Sequence, residues 1–111
     1  MGAVVIWADQ WDAMRSFYID LLQGTETNPT DSFVQIVGKS EVVMLHRVPN
    51  ELADSAKNFQ LREDAAIKPI LNVDSLIRSL NPLKPAYEFE GWNYIDIADP
   101  DGNVISIRSK S

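Results

Sequence analysis

"DPDGNVISI", residues 99–107, decides how the last part of the chain is built. Asp99, Pro100, Asp101 and Gly102 form a turn: the proline presets φ and the glycine accepts φ > 0. From Val104 the residues alternate. Ser106 and Arg108 therefore face one side of a strand, and Ile105 and Ile107 the other. The residues just before the turn, "WNYIDIA" (92–98), read as a strand as well, so the turn joins a hairpin. Further back, "PAYEFEG" (85–91) is a third strand, joined to the second near Gly91. Before it, "DSLIRSLN" (74–81) has helical character, with Asp74 or Ser75 to cap it. "AAIKPILNV" (65–73) is a strand whose Pro69 argues for an edge or a missing ladder bond.

The same order of elements precedes it. "AVVIWA" (3–8) is a β-branched and aromatic strand. Asp9 is placed to cap the helix "QWDAMRSFYIDLL" (10–22), in which Trp11, Met14, Phe17, Tyr18, Leu21 and Leu22 make one apolar stripe before Gly24 stops it. "TETNP" (25–29), "SFVQIVG" (32–38) and "EVVMLHRV" (41–48) are three further strands, the first of them weak. "PNELADSAKNFQLRED" (49–64) has no clean period and reads as a linking loop with at most a short helix. Strand, helix, three strands, stated twice, predicts an α+β fold of two βαβββ modules, about 1–48 and 65–111, in a single domain spanning 1–111. Paired edge to edge, the halves would form one curved mixed sheet, a cup with the helices on its convex face. Alternation would send one set of side chains to the helices and the other into the cup.

Composition narrows the function. The chain has no cysteine, which excludes disulfides and thiolate metal sites. Its formal net charge is −6 and its Lys and Arg residues are dispersed, which disfavours nucleic acid as a partner. The amino-terminal "MGAVVIWADQW" lacks the basic start of a signal peptide, and no apolar run is long enough to span a bilayer, so the expectation is a cytoplasmic protein with no membrane partner.

"SFYIDLLQG" (16–24) and "DPDGNVISI", in this element order, resemble the vicinal oxygen chelate superfamily, which includes glyoxalases, bleomycin-resistance proteins and extradiol dioxygenases. The resemblance covers nearly the whole chain. It implies the cup-shaped fold, and for the metal-dependent members a divalent cation held by His, Glu or Gln from four strands. The matching places here are Ala3, Met44, Lys68 and Ser106. Alanine offers no lone pair, a thioether is soft, an ammonium repels a cation, and serine is a weak ligand. The expectation is that the chain uses no metal and no cofactor. Bleomycin-resistance members sequester a drug without a metal, in grooves between two subunits. The resemblance thus implies a homodimer that binds a small organic molecule in the cup or the dimer groove.

The residues expected to line such a site are Trp7, Met44, His46, Lys68, Asn72, Tyr94, Ser106 and Arg108, an apolar wall with a few polar groups. Lys68 and Arg108 would hold an anion, or would pair with Glu88, Glu90 or Asp96. Trp7 would stack a flat or cationic group. Trp11 and Trp92 read as core or interface residues, Glu41 as solvated, and Asp99 with Asp101 as too few oxygens for calcium. The alternative reading is an enzyme of the same superfamily, a lyase or isomerase: either a metal-dependent lyase, isomerase or dioxygenase, or a metal-free catalyst using His46, the lone histidine, as general base. A third is a module that uses the fold only to dimerise.

Overall fold

The computed structural model describes residues 2–49, 61, 67–74 and 81–110. They belong to two compact units, Met1–Gln60 and Leu61–Ser111. The first unit contains β1 (Gly2–Ala8), α1 (Trp11–Leu22), β2 (Thr25–Thr27), β3 (Phe33–Val37) and β4 (Glu41–Arg47). Its sheet runs β1-β4-β3-β2, with β1 parallel to β4 and the other neighbours antiparallel. A meander of three strands thus brings its last member back beside the first.

One face of this sheet is dry because α1 covers it. The apolar stripe of α1 buries Trp11, Met14, Tyr18, Leu21 and Leu22. Opposite lie Val34 and Ile36 of β3 and Val43 and Leu45 of β4, all fully buried. Each such side chain contributes about 1.5–3 kcal/mol relative to exposure. Phe17 meets Tyr18 edge-on and is only half-buried, so Tyr18 is the deeper anchor of the pair.

Three local expectations need correction. The N-cap of α1 is Gln10, not Asp9, and its side chain makes no capping bond. The left-handed residue that ends the helix is Gln23, with φ of 50°, and not Gly24. Gly24 is required for another reason: a Cβ there would lie 2.8 Å from the carbonyl oxygen of Val37, where the helix end meets β3. Glu41 is buried, not solvated. It pairs in register with Gly2.

The second unit contains β5 (Ile70–Asn72), β6 (Tyr87–Phe89), β7 (Trp92–Ala98) and β8 (Val104–Lys110). The order β5-β8-β7-β6 repeats that of the first sheet, again with the first strand parallel to the last and the rest antiparallel. The α+β class and the repeated strand order are therefore as expected. Leu71, Ile97, Ile105 and Ile107 make the buried face. Pro69 precedes edge strand β5, and its carbonyl accepts the Ser106 N–H at 2.9 Å, so its lack of a donor costs the ladder nothing. The helix expected at 74–81 and the linker expected at 49–64 fall mostly on positions 75–80, 50–60 and 62–64, outside the described residues.

The Asp99–Asn103 turn is held from within. Asp99 is 1% exposed, and its Oδ1 accepts the backbone N–H of Asp101 (3.0 Å) and of Asn103 (2.9 Å). Its Oδ2 accepts from the Asn103 amide at 2.8 Å. Gly102 takes φ of 87°, as the turn demands. No helix among the described residues is long and apolar enough to cross a membrane.

Candidate functional site

The expected site residues lie on the face of the first sheet away from α1 and on the face of the second sheet opposite Leu71, Ile97, Ile105 and Ile107, with Lys68, just before β5, reaching the latter through Asp96. In the first unit, β1 and β4 pair Trp7 with His46 and Val5 with Met44. β3 places Phe33 and Gln35 beside His46 and Met44. Residues paired across a ladder share a face, so Val5, Trp7, Met44, His46, Phe33 and Gln35 form one surface. Trp7 is 59% exposed and Val5 54%. His46 lies between two rings, with centroids 5.0 Å from Trp7 and 4.9 Å from Phe33. Its imidazole makes no hydrogen bond among the described residues. A catalytic histidine is normally oriented by an acceptor on its second nitrogen; here the orientation comes from ring packing.

The second unit offers a polar and aromatic face built of three rungs. The innermost is Ile70–Ser106–Asp96. Ser106 and Asp96 are both buried, and the Ser106 hydroxyl donates to Asp96 Oδ1. Lys68, two residues before Ile70, donates from Nζ to Asp96 Oδ2 at 3.0 Å, and Lys84 Nζ lies 3.4 Å from the same oxygen. Burial pushes the Asp96 carboxyl up, but the bonds from Ser106 and Lys68, the Lys68 charge and the bond from Lys84 together bring it below the ordinary carboxylate range. Of the two sequence readings of Lys68, pairing with Asp96 is the one the geometry has.

The second rung is Asn72–Arg108–Tyr94–Tyr87. Arg108 Nε donates to Asn72 Oδ1 at 2.6 Å, and its Nη1 donates to the Tyr94 hydroxyl at 3.3 Å. Tyr94 and Tyr87 stack with ring centroids 5.2 Å apart and planes within 7°. The third rung is Lys110–Trp92–Phe89. Arg108 lies over the Trp92 ring with its guanidinium carbon 4.0 Å from the centroid, and Lys110 Nζ lies 4.7 Å from it. Trp92 is thus neither core nor plain surface: it carries two cations. Tyr87, Phe89, Lys84 and Lys110 were not singled out from the sequence. Counting across the turns at Gly91 and Gly102 would have found three of them, since Tyr87 faces Tyr94, Phe89 faces Trp92 and Trp92 faces Lys110.

The four metal-ligand places implied by the resemblance do not suit a cation. Ala3 pairs with Val42, and Met44 lies between Val5 and Gln35, so those two places present a methyl and a thioether. In the other half Lys68 and Ser106 are both bound to Asp96. The nearest carboxylate is thereby already satisfied by an ammonium. Among the described residues no three His, Asp or Glu side chains converge.

A recess of about 140 Å³ is lined by Asp12, Arg15, Ser16, Ile19 and Glu26. Small-molecule pockets usually hold about 300–1,000 Å³. Its charges are also spent on each other: Arg15 donates to both Glu26 oxygens, at 2.6 and 2.9 Å.

No protein-family model matches the sequence, and no curated protein is similar enough to match. Solved structures do match in fold. A glyoxalase/bleomycin resistance protein/dioxygenase family enzyme from Burkholderia phytofirmans PsJN aligns over 98% of this chain and 97% of its own, at 16% identity and a TM-score of 0.67. A lactoylglutathione lyase from Agrobacterium tumefaciens aligns over 98% and 92%, at 14% identity and a TM-score of 0.64. A glyoxalase/bleomycin resistance protein/dioxygenase from Alicyclobacillus acidocaldarius aligns over 97% and 89%, at 13% identity and a TM-score of 0.62. Identity this low with full-length coverage speaks to architecture and leaves chemistry to the residues.

Proposed function

We propose, from the premise that this chain carries the fold of the glyoxalase/bleomycin-resistance/dioxygenase proteins, that it binds a small organic molecule without a metal. The observation that carries this reading is the Lys68–Asp96–Ser106 network. Two of the four places where the resemblance implies metal ligands are tied into it, and its positive charge is covalently attached to the chain. A divalent ion brought there would meet an ammonium and would have to break that ion pair before reaching an oxygen. Ala3 and Met44 supply nothing to compensate.

Binding without catalysis requires shape, stacking and charge, and both open faces supply these. The first offers Trp7, Phe33 and His46; the second offers Trp92, Tyr94 and Arg108. The packing of His46 between rings supports a binding role over a general-base role. Exposed Val5 and Trp7 stand side by side on one face of the first sheet, an apolar patch that a second copy would cover, which supports a homodimer. The setting in this reading is the cytoplasm.

The test is a thermal-shift screen of a chemically diverse ligand library on chelator-treated protein, with elemental analysis of the untreated protein and sizing by light scattering. Stabilisation by a ligand in chelator, with no stoichiometric metal and a mass of two chains, is the expected result. One tightly held divalent ion per chain, or ligand binding only after metal is restored, would overturn the reading.

A further inference from the structure

We propose that the Arg108–Tyr94–Trp92 face of the second unit binds flat organic anions, with aromatic carboxylates as the fitting class. This rests on the binding reading above and names the ligand chemistry for one of its two faces. The first observation is Arg108 itself. Its guanidinium is fixed on three sides by neutral partners: Asn72, the Tyr94 hydroxyl and the Trp92 ring. Among the described residues no carboxylate pairs with it, and none pairs with Lys110. A guanidinium has five N–H donors. Nε and Nη1 each make one bond, which leaves three N–H donors, one on Nη1 and two on Nη2, to offer an anion a pair of donors on adjacent nitrogens. That pair matches the two oxygens of a carboxylate. The side chain is already held in place, so little rotamer entropy remains to be lost when the anion arrives.

The second observation is charge. The chain as a whole carries −6, yet among the described residues this face holds four cations, Lys68 and Lys84 at Asp96 and Arg108 and Lys110 over Trp92, against the one carboxylate of Asp96. Glu88 leaves the sheet on the opposite side by alternation. A local reversal of sign within an acidic protein draws anions to this face in particular.

The third observation is the surface beyond the charge. Tyr87 and Phe89 stand on β6, 40% and 58% exposed, on the same face as Arg108. Strands lie about 4.8 Å apart, so β8 to β6 is about 10 Å. A carboxylate on Arg108 would place a fused bicyclic ring over β7, with its far edge on Tyr87 and Phe89.

The experiment uses 2-naphthoate as probe, with neutral 2-naphthamide and a cationic naphthyltrimethylammonium as controls. Affinities come from calorimetry and the location from the tryptophan indole N–H signals in NMR. Naphthoate is expected to bind on the order of tenfold more tightly than naphthamide, the worth of one charge-assisted hydrogen-bonded pair. It should move the Trp92 indole signal and leave that of Trp7 in place, and should weaken with salt. Arg108→Gln should erase the preference for the anion, and Lys110→Gln, at an exposed position that does not threaten folding, should reduce it. Equal binding of naphthoate and naphthamide, or shifts at Trp7 in place of Trp92, or an unchanged preference in Arg108→Gln would each overturn the assignment. If the cationic or neutral probe binds in chelator while naphthoate does not, this assignment fails and the metal-free binding reading stands. If no probe or library compound binds without metal, both fail.

Discussion

Replacing Asp96 by Asn tests the network on which the functional reading rests. The Asp96 side chain is 7% exposed and accepts from Ser106, Lys68 and Lys84. The Ser106 bond is buried and charge-assisted, worth about 1.5–3 kcal/mol. The two lysines are 40% and 53% exposed, so solvent screens them and each pair is worth about 0.2–1 kcal/mol. Asparagine keeps an acceptor for Ser106 but loses the charge, so Asp96→Asn should cost about 1–2 kcal/mol at pH 7. Asp96→Ala also strands a buried hydroxyl and should cost about 2–4 kcal/mol. The pH dependence gives a second handle. Burial raises this carboxyl, and the bonds from Ser106 and Lys68, the Lys68 charge and the bond from Lys84 lower it further than burial raises it, so its folded value is depressed. Its contribution is therefore complete above the unfolded carboxylate range near about 4 and is lost as pH falls through the folded value. Urea unfolding at pH 7, 5 and 3 should show the gap between wild type and Asp96→Asn closing toward acid. A gap that stays constant from pH 7 to 3, or an Asn variant as stable as wild type at pH 7, would refute the reasoning.

Other substitutions probe the scaffold. Met14→Ala empties a fully buried position between α1 and the sheet and should lower stability by about 2–5 kcal/mol in the same urea experiment. Gly102→Ala forces a side chain into φ of 87° and should cost about 1 kcal/mol or more, read as a lowered melting temperature with unchanged secondary structure by circular dichroism. Glu26→Gln breaks the partly exposed fork with Arg15 that joins α1 to β2; the loss should be about 0.5–1 kcal/mol and should vanish in 1 M salt.

What the sequence disclosed, and what it withheld, follows from range. The repeated order of elements was legible because alternation and the helical stripe are local signals: Ser106 and Arg108 against Ile105 and Ile107, or Met14 and Tyr18 at helical spacing. The resemblance named the fold that the solved structures share. The cap of α1 falls on Gln10, one residue beyond Asp9, although Asp9 is the better cap on local grounds. Partnerships across the sheet were harder. Lys68 meets Asp96 from 28 positions away, and Arg108 meets Asn72 from 36, distances at which register depends on every turn between. The sequence could say that Lys68 and Arg108 are cations near a carboxylate. It could not say that one is neutralised and the other is left charged beside a tryptophan.

The sheet order β5-β8-β7-β6 puts the strand that comes last in the second unit in an interior lane, flanked on both sides. On the ribosome, β7 and β5 therefore have no common neighbour until Val104–Lys110 has cleared the exit tunnel. Until then Ile97 and Leu71 lack Ile105 and Ile107, their partners across the ladder. The second unit must mature after translation of its final strand and cannot do so during it, whereas the first unit is free to form as soon as β4 emerges. Any nascent-chain arrest that stops short of β8 would leave one finished half and one sticky, chaperone-prone half on the same polypeptide.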